Sequence, residues 1–213
     1  MPILVDNGRL RLTQLSLGPY GTNTYILTCL ATGESAVVDA PGEAARVIEA
    51  LEGTTPRFLL MTHAHMDHTG ALAELKAALG LSVAAHPLEA PGLGLEPDRL
   101  LQGGENIRLG RLTLNVLHTP GHTPGSLCFL VGRHLLAGDT LFPNGPGNTR
   151  TPAAFQEIVR SISDKLFTLP DETGVYPGHG DTTTIGQEKA NYAKYQAGPQ
   201  DPNRCGDVLW TPA

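Results

Sequence analysis

A chain of 213 residues with 21 Asp and Glu against 15 Lys and Arg has a formal net charge of −6. That excludes a general polyanion binder, which needs a basic face, and a composition 40% hydrophobic and 17% charged excludes a disordered chain. No apolar run reaches the roughly 18 residues of a membrane span, Asp6, Asn7 and Arg9 interrupt any leader-like stretch in Met1 to Leu10, and three scattered cysteines (Cys29, Cys128, Cys205) form no disulfide framework. The expectation is one cytoplasmic domain over residues 1–213, with no nucleic-acid or membrane partner.

Twenty-five Gly and 17 Pro punctuate the chain with tight turns. Leu10, Leu12 and Leu15, then Thr24–Thr28 and Ser35–Asp39, read as short strands. From Glu43 to Glu52 the period changes, and Ala44, Val47, Ile48 and Leu51 line one helical face. Phe58–Met61 reads as a buried strand, Thr69–Leu79 as a helix, Ser82–Ala85 as a strand, and Pro87–Pro97 as a surface excursion. Strands follow over Leu112–Leu117, Ser126–Val131 and His134–Ala137. The helix Pro152–Phe167 has Thr151 as its N-cap and Pro152 at its first position. Its apolar stripe is Phe155, Ile158, Val159, Ile162 and Leu166. Gly174–Tyr176 closes as a strand and Gln187–Gln196 as a helix. Two halves of similar outline imply two packed sheets flanked by helices.

The chemistry concentrates in Thr62-His63-Ala64-His65-Met66-Asp67-His68-Thr69, where a buried strand gives way to a helix. In an extended stretch, residues i and i+2 point the same way, so His63 and His65 can share one ion. Asp67 and His68 can face an adjacent position as the chain turns. His122, in a Gly/Pro turn, Asp139, after the strand His134–Ala137, and His179, after Gly174–Tyr176, occupy similar settings. Five His and two Asp form a nitrogen and oxygen set suited to divalent zinc, iron or manganese.

The ordered set His63-Ala64-His65-Met66-Asp67-His68, His122, Asp139 and His179 resembles the metallo-β-lactamase superfamily. The wordings Thr-Pro-Gly-His-Thr-Pro-Gly-Ser (119–126), Gly-Asp-Thr-Leu-Phe (138–142) and Pro-Gly-His-Gly (177–180) resemble its glyoxalase II-like hydrolases. The resemblance implies an α/β fold, a four-layer αββα sandwich, with two divalent metals, zinc foremost, at one edge. By that resemblance His63, His65 and His122 hold the first ion, Asp67, His68 and His179 the second, and Asp139 bridges them. Only 33 residues follow Gly180, so the separate C-terminal helical domain of glyoxalase II enzymes is not expected.

The implied activity is hydrolysis of a small-molecule thioester or ester, hydroxyacylglutathione hydrolase-like, by a hydroxide bridging the metals, with Asp67 and Asp139 in the catalytic set. A thiolate leaves with a conjugate-acid pKa of about 8.5, so no strong general acid is required. A mononuclear-iron persulfide dioxygenase, using residues of the His63, His122 and Asp139 type, and a lactonase are the alternatives on the same ligands. A metal-binding module without catalysis is the third class. Around the ligands, Asp39 resembles the superfamily's early Asp, which supports the metal loop, and His118 reads as a structural partner of its turn. Arg150, Tyr192 and Lys194 are candidate substrate contacts. His86 reads as a packed residue, His134 as surface and Cys128 as core.

Overall fold

The computed structural model describes residues 2–211. Its first half builds a seven-stranded sheet in chain order from β1 (Ile3–Asp6), β2 (Leu10–Leu17), β3 (Thr22–Cys29), β4 (Glu34–Val38), β5 (Thr55–Leu60), β6 (Ser82–Ala85) and β7 (Arg99–Leu100). Strands β1 to β4 pair antiparallel; β4 to β7 are parallel, their connections long enough to carry helices. Those helices are α1 (Ala44–Ala50), α2 (Met66–Thr69) and α3 (Leu72–Leu79). The second half supplies β8 (Asn106–Leu109), β9 (Leu112–His118), β10 (Leu127–Val131), β11 (His134–Gly138), the small ribbon β12 (Leu141–Phe142) and β13 (Gly145–Pro146), helix α4 (Pro152–Ser161), β14 (Gly174–Pro177), β15 (Thr183–Thr184) and helix α5 (Ile185–Ala197). The second sheet runs β15-β14-β11-β10-β9-β8, with β11 and β14 parallel.

Side-chain alternation along the strands creates three apolar layers. Leu27, Val38 and Leu60 meet Val116, Phe129 and Leu136 between the sheets. The opposite faces of β3, β4 and β5 send Ile26, Val37 and Leu59 against Val47, Leu72 and Leu75 of α1 and α3. Behind the second sheet, Cys128, Leu135 and Val175 pack on Phe155, Ile158 and Ile185 of α4 and α5. The architecture is therefore the expected four-layer αββα sandwich. Strands buried on both faces read as apolar runs, which is why β5 was legible. Edge strands β1 and β8 escaped the sequence reading: β1 is only half-buried, and β8 alternates over just four residues.

Two helices differ from expectation. The span Thr69–Leu79 is split: the chain is helical from Met66 to Thr69, breaks at Gly70–Ala71, then resumes. The break has a tertiary cause. Ala40 N–H donates to the His68 carbonyl at 2.8 Å and Ala71 N–H donates to the Ala40 carbonyl at 2.7 Å, so the 39–41 turn replaces intrahelical partners. Gly70 is pressed on the Pro41 carbonyl, where a β-carbon would collide. The helix Pro152–Phe167 stays α-helical only to Ser161 and continues as a π turn over Ile162–Leu166. Its start is as expected, with the Thr151 hydroxyl accepting from Ala154 N–H at 3.2 Å.

Candidate metal centre

The strand β5 delivers Thr62 and His63 to the edge of the sandwich, and its neighbour β4 delivers Asp39 beside them. Asp39 sits at φ +60°, a left-handed conformation that Asp and Asn tolerate better than most residues. Its Oδ1 accepts from Thr62 N–H at 2.8 Å. Its Oδ2 accepts from the Thr62 hydroxyl at 2.7 Å and from His68 Nδ1 at 2.8 Å. One buried carboxylate thus fixes the histidine loop at both ends.

These bonds also assign tautomers. The Thr62 hydroxyl spends its proton on Asp39, so its oxygen accepts from His63 Nδ1–H at 3.0 Å, and His63 Nε2 carries a lone pair. His122 Nδ1–H donates to the Asn148 carbonyl at 2.8 Å, so its Nε2 is likewise an acceptor. Both Nε2 atoms lie 3.0 Å from His65 Nδ1. One shared proton cannot satisfy three nitrogens converging this way; a cation among them can.

A second cluster adjoins the first. His179 Nε2 lies 3.1 Å and His68 Nε2 3.7 Å from Asp67 Oδ2. Asp139 stands between the clusters: its Oδ1 is 3.5 Å from His68 Nε2, and its Oδ2 is 3.5 Å from His122 Nε2 and 3.7 Å from His179 Nε2. His68 Nε2 and Asp139 Oδ1 are buried without a hydrogen-bond partner among the described residues. Such orphaned atoms are costly unless something fills the gap. The donor set and the two orphans fit divalent cations. His63, His65 and His122 group tightly enough for one ion, and Asp67, His68 and His179 for another.

Electrostatics agrees. Burial, reinforced by the neighbouring His68, pushes His63 well below the ordinary histidine range, and burial lowers His65 too. His68 behaves oppositely: burial opposes its charged form, but the carboxylates of Asp39 and Asp139 raise its pKa to about 10. Burial disfavours an ionised Asp139 as well, yet attraction from His68, 3.5 Å away, holds it well below the usual carboxylate range. The metal-free cluster keeps a proton on His68 that a metal must displace.

Several supports were invisible in the sequence. Glu89 lies in the supposed surface excursion, yet it is buried. Its carboxylate accepts from Ala64 N–H and Gly125 N–H, both at 2.9 Å, and so ties the His63–His68 loop to the turn carrying His122. Thr22 donates to Asp67 Oδ2 at 3.3 Å and bridges to His179. Asn23 donates to the carbonyls of Pro177 and Gly180, and the Tyr25 hydroxyl to Pro177. These bonds hold the His179 loop against β3. Gly178 must lack a side chain, because a β-carbon there would strike Asp139 Oδ1.

The other candidates sort by position. Asp39 lies beside the cluster, bonded to Thr62 and His68. His118 stacks on His86 at 4.3 Å and meets the Pro124 carbonyl at 2.9 Å, so it braces the turn rather than facing the cluster. His134 is not plain surface: it is half-buried and meets the Tyr176 hydroxyl at 2.9 Å. Cys128 is core, its thiol pushed up to about 11 by burial. The three candidate substrate contacts are not brought to the cluster. Arg150 is exposed and outside the cavity over the His/Asp cluster. Tyr192 turns toward Phe167, Tyr195 and Trp210, and Lys194 lines a separate hollow near Trp210, because α5 packs behind the second sheet rather than over its edge.

The cavity over the cluster measures about 310 Å³, with His122, Asp139 and His179 among its lining. Its walls come from the β12–β13 ribbon and from residues 207–209 of the C-terminal segment. Trp210 and Val208 of that segment are buried, and Gly206 pairs with Thr149. Among the described residues no helix is long and apolar enough to cross a membrane.

Comparison with known proteins agrees with this geometry. Hydroxyacylglutathione hydrolase GloC of Haemophilus influenzae is 36% identical over 178 residues, 73% of this chain and 84% of that protein. The crystal structure of ETHE1 from Myxococcus xanthus superposes with TM-score 0.76 at 30% identity, covering 84% of this chain and 81% of that one. TTHA1623 in a di-iron-bound form gives TM-score 0.71 at 34% identity, covering 83% and 96%. The family model described as the metallo-beta-lactamase superfamily matches residues 17–179, which run from the end of β2 to the last histidine of the cluster. With the fold, the order of the clustered His and Asp residues and that match in agreement, this chain belongs to the metallo-beta-lactamase superfamily.

Proposed function

We propose that this protein is a metal-dependent hydrolase of small thioesters, with His63, His65 and His122 holding one divalent ion, Asp67, His68 and His179 a second, and Asp139 spanning both. The observation that carries the reading is Asp139, whose carboxylate reaches both clusters: Oδ2 lies 3.5 Å from His122 Nε2 and 3.7 Å from His179 Nε2, and Oδ1 lies 3.5 Å from His68 Nε2. Zinc suits the donor set, and iron and manganese suit it as well; the di-iron form of TTHA1623 supports a two-ion centre.

Bound there, two divalent ions supply polarisation of a carbonyl and a water acidic enough to attack at neutral pH. The chain's own residues do the rest. Thr62, Asp39 and Asn148 hold His63, His68 and His122 in the tautomers that present a nitrogen lone pair. Asp67 and Asp139 place carboxylate oxygens where a proton from the attacking water can be received. The ribbon and the C-terminal segment form one wall of the cleft. Among the described residues, the cleft lining apart from the proposed ligands has no group of the usual general-acid type except the exposed Asp207. A thiolate leaving group, with a conjugate acid near 8.5, fits that lack. Similarity to a hydroxyacylglutathione hydrolase supports the same bond class.

The test is a panel of thioesters, esters and lactones on protein whose zinc, iron and manganese are counted by mass spectrometry, with glutathione persulfide followed in an oxygen electrode. Thioester turnover without oxygen consumption is expected. Stoichiometric oxygen uptake would replace the hydrolase with a persulfide dioxygenase, and preferred lactone opening would make it a lactonase.

A further inference from the structure

The cleft wall opposite the metal ligands joins two segments far apart in sequence, the β12–β13 ribbon and residues 207–209. It is mostly apolar, through Phe142, Pro143, Pro146, Val208 and Leu209, with Asp207 as its one charged side chain outside the ligand set. No Lys or Arg is part of the cavity lining among the described residues.

Asp207 is held in place. Asn148 Nδ2 donates to its Oδ1 at 2.9 Å. On one side Gly206 N–H donates to the Thr149 carbonyl at 2.7 Å; on the other, Val208 is buried and Trp210 N–H donates to the Asn144 carbonyl at 2.8 Å. The Asn144 side chain meets Thr211 N–H at 3.0 Å, and its own N–H donates to buried Glu188 at 2.8 Å. The carboxylate therefore stands on a fixed strap at the cleft, and it has no ion-pair partner among the described residues. Asn148 is also the residue whose carbonyl orients His122, so the charge sits one residue away from the catalytic geometry.

We infer that Asp207 is a specificity-determining residue. It makes the cleft favour thioesters with a cationic substituent over those with a carboxylate, glutathione thioesters among the disfavoured. This rests on the thioester hydrolase reading and adds the charge class of the substrate. A fixed, unpaired carboxylate beside apolar walls attracts an ammonium group and repels an anion across the same few ångströms, whereas the apolar residues accept either carbon skeleton.

The experiment varies charge in each half of the substrate. In the thiol half, S-acetylthiocholine is compared with S-acetyl-3-mercaptopropionate. In the acyl half, the betainyl and glutaryl thioesters of N-acetylcysteamine are compared. Because these compounds differ in intrinsic reactivity, the quantity read is the change in the cationic-to-anionic kcat/KM ratio between wild type and Asp207→Asn. That ratio should fall roughly two- to fivefold for the half that reaches Asp207, the scale of a solvent-exposed charge pair. The change should lie in KM and fade with added salt, and Asp207→Lys should move the ratio further the same way. Equal ratios in wild type and both variants, in both halves, overturn the inference while leaving thioester hydrolysis standing. If the wild type hydrolyses no thioester, the hydrolase reading fails separately. Calorimetric binding of thiocholine against 3-mercaptopropionate then reads the charge preference without turnover, and a ratio of affinities unmoved by Asp207→Asn overturns it.

Discussion

Replacing Asp39 by Asn separates the orientation of the metal ligands from the ligands themselves. Asn tolerates the φ of +60° at this position, and it is nearly isosteric. Its carbonyl must stay on Thr62 N–H, the buried donor now 2.8 Å from Asp39 Oδ1. The amide NH₂ then takes the place of Oδ2, 2.8 Å from His68 Nδ1. A donor there forces His68 to accept at Nδ1 and carry its proton on Nε2, the atom that faces Asp67 and Asp139. The ion held by Asp67, His68 and His179 loses a nitrogen lone pair. Loss of such an orienting partner weakens metal binding about 10- to 100-fold, equivalent to about 1.4–2.7 kcal/mol. The same NH₂ no longer accepts the Thr62 hydroxyl proton, which frees it for His63 Nδ1 and disturbs the first ion as well; zinc titration against a chromophoric chelator should show the ion at His68 weakened by that factor, with activity falling in parallel. Nitrogen NMR of the imidazoles should show the His68 tautomer reversed. Two ions bound at unchanged affinity with His68 still protonated at Nδ1 would refute the reasoning.

Asp139→Ala should lose occupancy at both positions and abolish turnover, with circular dichroism unchanged; two tightly held ions and near wild-type activity would remove Asp139 from its spanning role. Metal binding should release at least one proton per protein at pH 7.5, because His68 in the metal-free state has its pKa raised to about 10, and any ionised metal-bound water adds to that count; calorimetry in two buffers of different ionisation enthalpy counts the protons. By the same linkage, the His68 contribution to the metal-free fold is complete below its unfolded pKa of about 6.5 and is lost as pH rises through about 10, so the Tm of chelator-stripped protein should decline across that window. With metal, activity should fall steeply below about pH 6 as protons compete for the ligand nitrogens, and added zinc should move that limb to lower pH. Glu89→Ala should leave Ala64 N–H and Gly125 N–H without their acceptor, costing about 1–3 kcal/mol for each group that water cannot reach; thermal unfolding should show a clear drop in Tm, and an unchanged Tm would mean the two loops do not depend on this carboxylate.

The residues that carry the chemistry were readable because their signal is local. His63, His65, Asp67 and His68 lie within six positions where an apolar strand runs out, and residue types with a period of two state the geometry before any folding is considered. The capped start of α4 and the apolar runs of β4 and β5 were legible for the same reason: each is a pattern of neighbours. His122, Asp139 and His179 stood out only as residue types in similar settings, and dividing them between two ions took resemblance to a family, since nothing local links turns 17 to more than 100 residues apart. What only tertiary structure decided is everything made by contact between distant segments. It split the helix after Thr69, where the turn at 39–41 takes over its hydrogen bonds. It buried Glu89 inside a stretch that reads as surface, swung Tyr192 and Lys194 away behind the second sheet, and brought Asp207 from the far end of the chain to the cleft wall. Side-chain to backbone hydrogen bonds of this kind join residues with no periodic relation, so they leave no mark on composition or spacing; only the packing of the two sheets determines which of them form.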